Sequence, residues 1–349
     1  MTGSYDAVLL LSFGGPEGPD DVMPFLENVV RGRGVPAARL AEVAEHYQHF
    51  GGVSPINEQN RELLAALGKE FAAHGIDLPL YWGNRNWHPL LADTLRQMRA
   101  DGVRRALAFA TSAYSSYSSC RQYRDDIATA QREVGPDAPE VEKLRHFYDH
   151  PGFVGPHVDA VKAALGSLDP ARRGTTRIVF TAHSVPMSMD ASSGPDGGLY
   201  SAQLTTVAGL VSAAAAPDLA WDLVWQSRSG PPQVPWLEPD VNDHLRAIAG
   251  EGVTDAVVSP IGFVSDHLEV IWDLDNEAKQ TAGELGLGFA RAATPGTDPR
   301  FVGMVRELVT ERLYASSSQR RLAPWEASGP SCLPGCCPAP ARRPAPAGH

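Results

Sequence analysis

The 349-residue chain reads as an α/β protein built on two parallel sheets, each covered by helices on both faces. Short apolar runs rich in branched residues alternate with segments whose apolar positions recur three and four apart, and the alternation occurs twice. Strand, helix, strand at this spacing implies parallel pairing, because a parallel connection needs a crossover long enough to hold a helix. The predicted strands are Ala7–Phe13, Leu78–Trp82, Arg105–Thr111, Arg177–Ala182, Leu219–Gln226 and Ala256–Phe263. Predicted helices include Val22–Val30, Glu58–His74, Leu90–Ala100 and Arg300–Tyr314.

The two halves echo each other. AVLLLSFGG, LPLYWGNRN and RALAFATSAY open the first; RIVFTAHSV, LAWDLVWQSR and AVVSPIGFVSDHLE repeat their order in the second. The reading is therefore two similar Rossmann-like domains, 1–150 and 151–315. A tail, 316–349, follows, rich in Ser, Pro, Ala, Arg and Cys. By composition Pro338–His349 is expected to be disordered. Ligands of such sheets bind beyond the C-terminal ends of the strands, so two facing domains predict a cleft there.

Composition narrows the function. Hydrophobic residues make up 43 % and charged residues 20 %, a globular balance. The net charge of −11 argues against binding a phosphate backbone, which needs a basic face, but a few local arginines can still hold carboxylates. No run of 18 apolar residues predicts a spanning helix, and the first residues lack a basic segment followed by an apolar block. The expectation is a cytoplasmic protein without membrane insertion or nucleic-acid partner.

Two constellations carry chemistry. His183, in TAHSVPM, follows the strand Arg177–Ala182 at the expected cleft edge; a lone histidine there is ordinarily a polar loop residue. In SDHLEVIWDLDNEAK, Glu269, Asp273 and Glu277 are spaced four apart, which on a helix stacks three carboxylates along one face with only Lys279 nearby. Such a row is either a plain acidic surface or a path for cations or protons. A third feature is the cysteine distribution. Cys332, Cys336 and Cys337 cluster near the end of the chain and Cys120 lies far from them, a pattern that suggests metal binding more than structural disulfides.

Five segments together resemble ferrochelatases: LLLSFGGPEGPDDVMPFLENVVRGRG, HYQHFGGVSPINEQN, FTAHSVP, VWQSRSGPPQVPWLEPDV and PIGFVSDHLEVIWDLDNEAK. They run in that family's order from residue 5 to about 314, and the nearest likeness is to the Gram-positive and actinobacterial branch. The resemblance implies a chelatase-like fold and a monomeric enzyme inserting Fe²⁺ into coproporphyrin III, with protoporphyrin IX as the alternative substrate. His183 and Glu269 match the pair that faces across the porphyrin, and neutral imidazole suits both Fe²⁺ ligation and proton removal. Asp273 and Glu277 become outer steps of a proton or metal path. Arg31 and Arg33 match propionate-holding positions, where guanidinium forks suit carboxylates. Tyr47, Ser54 and Tyr123 match further porphyrin contacts; Tyr47 also reads as a core aromatic and Arg33 as a solvated side chain. Phe13 stands where some relatives carry a tyrosine, so it is expected to be an apolar wall and not a ligand. His46 replaces an arginine seen in some relatives.

The resemblance also implies that Cys120, Cys332, Cys336 and Cys337 hold a [2Fe–2S] cluster, four thiolates being sufficient. Structural zinc and a reactive tail are the other readings of the same cysteines. Outside ferrochelatase, the alternatives are a chelatase for Co²⁺ or Ni²⁺ and a haem- or iron-sensing protein on the same fold.

Overall fold

A computed structural model describes residues 5–32, 34–230, 233–314, 318–323 and 335–339. Two four-stranded sheets, all parallel, have the orders β2-β1-β3-β4 and β6-β5-β7-β8. The strands are β1 (Ala7–Ser12), β2 (Leu80–Asn84), β3 (Arg105–Ala110), β4 (Glu140–Lys143), β5 (Thr176–His183), β6 (Trp221–Gln226), β7 (Asp255–Ser259) and β8 (Gly288–Arg291). The two orders are the same when β1 is matched to β5, so the echo in the sequence is a repeat of topology.

The helices are α1 (Val22–Val29), α2 (Ala37–His49), α3 (Ile56–Ala73), α4 (Leu91–Ala100), α5 (Gln122–Val134), α6 (Pro151–Gly166), α7 (Met187–Ala191), α8 (Leu199–Ala215), α9 (Val241–Gly250), α10 (Leu268–Val270), α11 (Lys279–Glu284) and α12 (Pro299–Leu313). Between α10 and α11 the chain is π-helical over Ile271–Ala278, so the expected acidic helix has a wider turn through its middle.

Every residue of β1 is buried, as a central parallel strand requires, and alternate side chains serve opposite faces. Leu9 and Leu11 pack with Leu95 of α4 and Ile127 of α5. Val8 and Leu10 belong to a cluster that also holds Ile178 and Phe180 of β5, Phe153 of α6 and Phe301 of α12. One apolar core thus runs through both halves, with α12 packed on both α3 and α6. Strands β4 and β8 escaped the sequence reading because each is four residues long; β4 reads Glu-Val-Glu-Lys, an edge strand whose charges mask any apolar run. Residues 13 to 55 form an excursion between β1 and α3, and α1 and α2 pack together there through Val22, Phe25, Leu26 and Leu40.

Candidate active site

The side chains expected to do chemistry gather beyond the C-terminal strand ends. His183 is the last residue of β5. Its Nδ1 meets the carbonyl of Ser184, and a carbonyl can only accept, so Nδ1 carries the proton and Nε2 presents its lone pair. Glu269 comes from α10, which follows β7 after an eight-residue loop, 260–267. The intervening loop is pressed against β5: a Cβ on Gly262 would lie 2.7 Å from Ala182 Cα, so only glycine lets the two segments approach beside His183. The start of α10 is capped by His267, whose Nδ1 accepts from the Val270 amide at 3.4 Å.

Nε2 of His183 and Oε2 of Glu269 are 3.8 Å apart, and the side chains keep 35 % and 40 % of their surface open. Even so, the surrounding protein atoms desolvate both groups, and burial dominates the electrostatics. It pushes the Glu269 carboxyl up to about 7. It raises Asp273 as well, reinforced by the charge of Glu269 and opposed by hydrogen bonds from Ser227 and Gln226. It lowers the His183 imidazole, against the pull of the Ser184 carbonyl and the Asp273 charge. His267 is held down to about 4 by burial and by His183. The pocket thus favours neutral imidazoles and carboxyls able to carry a proton near neutral pH.

Glu269 and Glu277 both lie close enough to Asp273 for their charges to raise its carboxyl. The π-helical turn keeps the four-residue spacing on one face, since four residues overshoot a turn of α-helix and fall short of a turn of π-helix. At the outer end Trp272 Nε1 donates to Glu277 at 2.8 Å. The Trp272 ring stacks on His46 at 3.9 Å and 7°, with His49 edge-on at 5.6 Å. This stack joins α2 of the first half to the acidic helix of the second. His46 and Trp272 were not singled out as a pair because nothing in one sequence registers α2 against a helix more than 220 residues away.

The remaining expected residues fall into three places. Tyr47, on α2, packs against Phe25 at 5.8 Å; its hydroxyl is pushed up by burial and then by Glu269 and Asp273, so it looks across at the acidic row. Phe13, just past β1, leaves 37 % of its surface exposed and meets Phe25 edge-on at 6.3 Å, which leaves an apolar face uncovered. Ser54 is only 4 % exposed and lies under the loop after β1, where a Cβ on Gly15 would come within 2.7 Å of it. Tyr123 is buried beneath Arg85, whose guanidinium carbon is 4.7 Å from its ring centroid and 5.5 Å from that of Phe13. Arg85 pairs with Asp126 and so locks Phe13 to Tyr123. It sits inside the WGNRN segment but carries no mark in sequence that separates it from a surface arginine.

Arg31 lines a cavity of about 610 Å³ with Arg85, Trp87, His88, Asp126 and Glu133; that cavity belongs to the first half and does not include His183 or Glu269. Arg33 lies outside the described residues. So do Cys332 and most of the tail expected to be disordered, from residue 340 on. Of the other cysteines, Cys337 is buried. Its Sγ accepts the Gly194 amide at 3.2 Å, lies 3.6 Å from Cys336 Sγ, and is close enough to buried Cys120 for that thiol to affect it. No helix among the described residues is long and apolar enough to cross a membrane.

Comparison with known proteins gives a consistent result. A family profile described as Ferrochelatase matches residues 5–313. The coproporphyrin III ferrochelatase of Nocardia farcinica is 59 % identical over 99 % of this chain and 100 % of its own length. Those of Streptomyces coelicolor (55 % identical, 99 % of this chain, 96 % of the relative) and Mycolicibacterium smegmatis (53 %, 95 % and 99 %) are also similar. Among solved structures, SirB from Bacillus subtilis with Fe³⁺ aligns at a TM-score of 0.55 and 13 % identity, covering 91 % of this chain and 99 % of SirB, which speaks to the fold alone.

Proposed function

The chain belongs to the ferrochelatase family, and from that premise we infer that it inserts Fe²⁺ into coproporphyrin III in haem synthesis. The observation that supports this reading most directly is the facing of His183 Nε2 and Glu269 Oε2 at 3.8 Å beyond the end of β5.

Insertion replaces two pyrrole N–H protons by one Fe²⁺ and releases two H⁺. Neutral His183, with Nδ1–H held by Ser184, offers Nε2 as ligand or proton acceptor. Glu269 and Asp273, with carboxyls raised toward 7, take protons from the pocket and pass them to the row's outer end at Glu277. The same oxygens lead Fe²⁺ inward as its waters are stripped.

A planar macrocycle points its N–H bonds inward and resists a metal. Bending it costs free energy that binding the periphery supplies. Phe13 gives the apolar wall, kept in place by Phe25 and Arg85. Arg31 and Arg33 hold propionates through bidentate hydrogen bonds. Tyr47, Ser54 and Tyr123 shape the pocket around them. The first half (1–150) supplies these contacts and the second (151–315) the His183–Glu269 pair; the enzyme acts as a cytoplasmic monomer.

Cys120, Cys332, Cys336 and Cys337 would hold a [2Fe–2S] cluster, with the tail 316–349 as its carrier. The placement of the described sulfurs, Cys120, Cys336 and Cys337, supports this reading. Burial, with the Cys336 and Cys120 thiols nearby, pushes the Cys337 thiol up to about 12, so protonated thiols are crowded where iron would stabilise thiolates. The Gly194 amide is already aimed at Cys337 Sγ as it would be at a thiolate. Bound, the cluster would contribute a cross-link between tail and body.

Anaerobic protein mixed with Fe²⁺ and either coproporphyrin III or protoporphyrin IX, followed by absorbance, tests the function. Faster metallation of coproporphyrin III is expected. Preference for protoporphyrin IX would move the enzyme to the other substrate, and porphyrin binding without turnover would overturn the enzyme reading.

A further inference from the structure

Asp273 is the middle carboxylate of the row, and its orientation is set from the neighbouring strand. Gln226 is the last residue of β6, pairs in register with His183, and accepts the Ser184 amide on its backbone carbonyl at 2.8 Å. Its side-chain Nε2 donates to Asp273 Oδ2 at 3.2 Å. The next residue, Ser227, donates its hydroxyl to the same oxygen. Its φ is +62°, and among the described residues the only other non-glycine with positive φ is Cys337. Glycine would make that turn without the clash a Cβ brings. What the serine gains for the strain is a hydroxyl aimed at Asp273.

We propose that Gln226 and Ser227 are positioning residues for iron delivery, locking Asp273 Oδ2 in line between Glu277 and Glu269 and at a fixed distance from His183. The proposal rests on the reading of the carboxylate row as the metal path. Without these two donors nothing among the described side-chain hydrogen bonds fixes the Asp273 carboxyl, which is free to rotate away from Glu269. Two donors on one oxygen, both carried by the residues that continue β6 beside His183, prevent that rotation. No part of this needs Gln226 or Ser227 to touch porphyrin or iron.

Three variants of the full chain separate the possibilities, each assayed for the KM of Fe²⁺ and the KM of coproporphyrin III. Ser227→Gly keeps the backbone conformation and removes the donor. It is expected to raise the Fe²⁺ KM roughly five- to tenfold, the effect of one hydrogen bond of ordinary strength, with the coproporphyrin KM unchanged. Ser227→Asn tolerates the left-handed conformation and offers an amide donor, and is expected to return the Fe²⁺ KM to within about twofold of wild type. Asp273→Asn is expected to raise the Fe²⁺ KM at least as much as Ser227→Gly. Thermal unfolding of Ser227→Gly at or above the wild-type temperature verifies that the fold is intact. If Asp273→Asn raises the Fe²⁺ KM and Ser227→Gly does not, or if Ser227→Asn is as impaired as Ser227→Gly, the positioning role is wrong. If Asp273→Asn leaves the Fe²⁺ KM unchanged, the metal path itself fails and the proposal with it.

Discussion

Glu269 Oε2 lies 3.8 Å from His183 Nε2, too far for a hydrogen bond and close enough for both atoms to act on one small guest between them. His183 ends β5 and Glu269 lies on α10 after β7, and the gap is held by the loop that Gly262 lets press on β5. A tighter pair would satisfy itself as an ion pair and leave nothing for a substrate.

Removing either partner should therefore abolish chemistry while leaving binding. His183→Ala and Glu269→Gln are expected to lower kcat by at least ~100-fold, the usual scale for a positioned acid–base group. Coproporphyrin affinity, read by fluorescence quenching, should change little. A variant retaining more than a tenth of the wild-type kcat would remove that residue from the reaction.

Burial of Glu269 also predicts how stability depends on pH. Its folded carboxyl is raised from 4.5 to about 7, so between those values the native state holds more proton than the unfolded chain. Stability contributed by this group is then highest below pH 4.5 and declines as pH rises through 7. Glu269→Gln cannot ionise, so it should unfold a few degrees above wild type at pH 8, the side chain's partial exposure keeping the gain small. The difference should shrink progressively on titration down to pH 5. Equal unfolding temperatures at pH 8 would contradict the assignment.

The His46–Trp272 stack ties α2 to the π-helical segment. His46→Ala should cost roughly 0.5–1.5 kcal/mol of stability, the range for a close aromatic pair. It should also shift the Trp272 contribution to fluorescence toward the red by admitting water, judged against a Trp272→Phe control. An unshifted spectrum would mean that the stack does not persist in solution.

Arg145 and Glu311 form a bidentate pair at 2.7 Å through both nitrogens, with side chains 3 % and 7 % exposed, joining the segment after β4 to α12. Breaking a buried pair leaves one charge uncompensated, so Glu311→Gln should cost about 3–5 kcal/mol. Urea unfolding should show a lower midpoint at unchanged slope. A shift under 1 kcal/mol would show that the guanidinium finds other partners.

The cysteine reading is tested by Cys332→Ser and Cys337→Ser. Each should lose the visible absorbance of an iron–sulfur chromophore and lower the unfolding temperature, because the tail loses its cross-link. Unchanged visible spectrum and stability in both would dismiss the cluster.

The repeat of two parallel sheets was legible in the sequence because central strands buried on both faces must be continuous apolar runs, and β1, β3, β5 and β7 are of that kind, while the edge strands β2 and β6 still carry apolar runs long enough to read. The pair His183 and Glu269 was legible because each follows such a run, and in parallel sheets the residues after the strands share one end of the molecule. The edge strands β4 and β8 were not, since each is only four residues long and β4 is mostly charged. Only the tertiary structure decided that one helix turn widens under the acidic row, that Ser227 adopts a strained conformation to reach Asp273, and that Arg85 holds Phe13 against Tyr123. The physical reason is common to all three. Burial patterns are written along the chain at a local period, whereas a hydrogen bond or ring contact between distant segments depends on where packing brings them together.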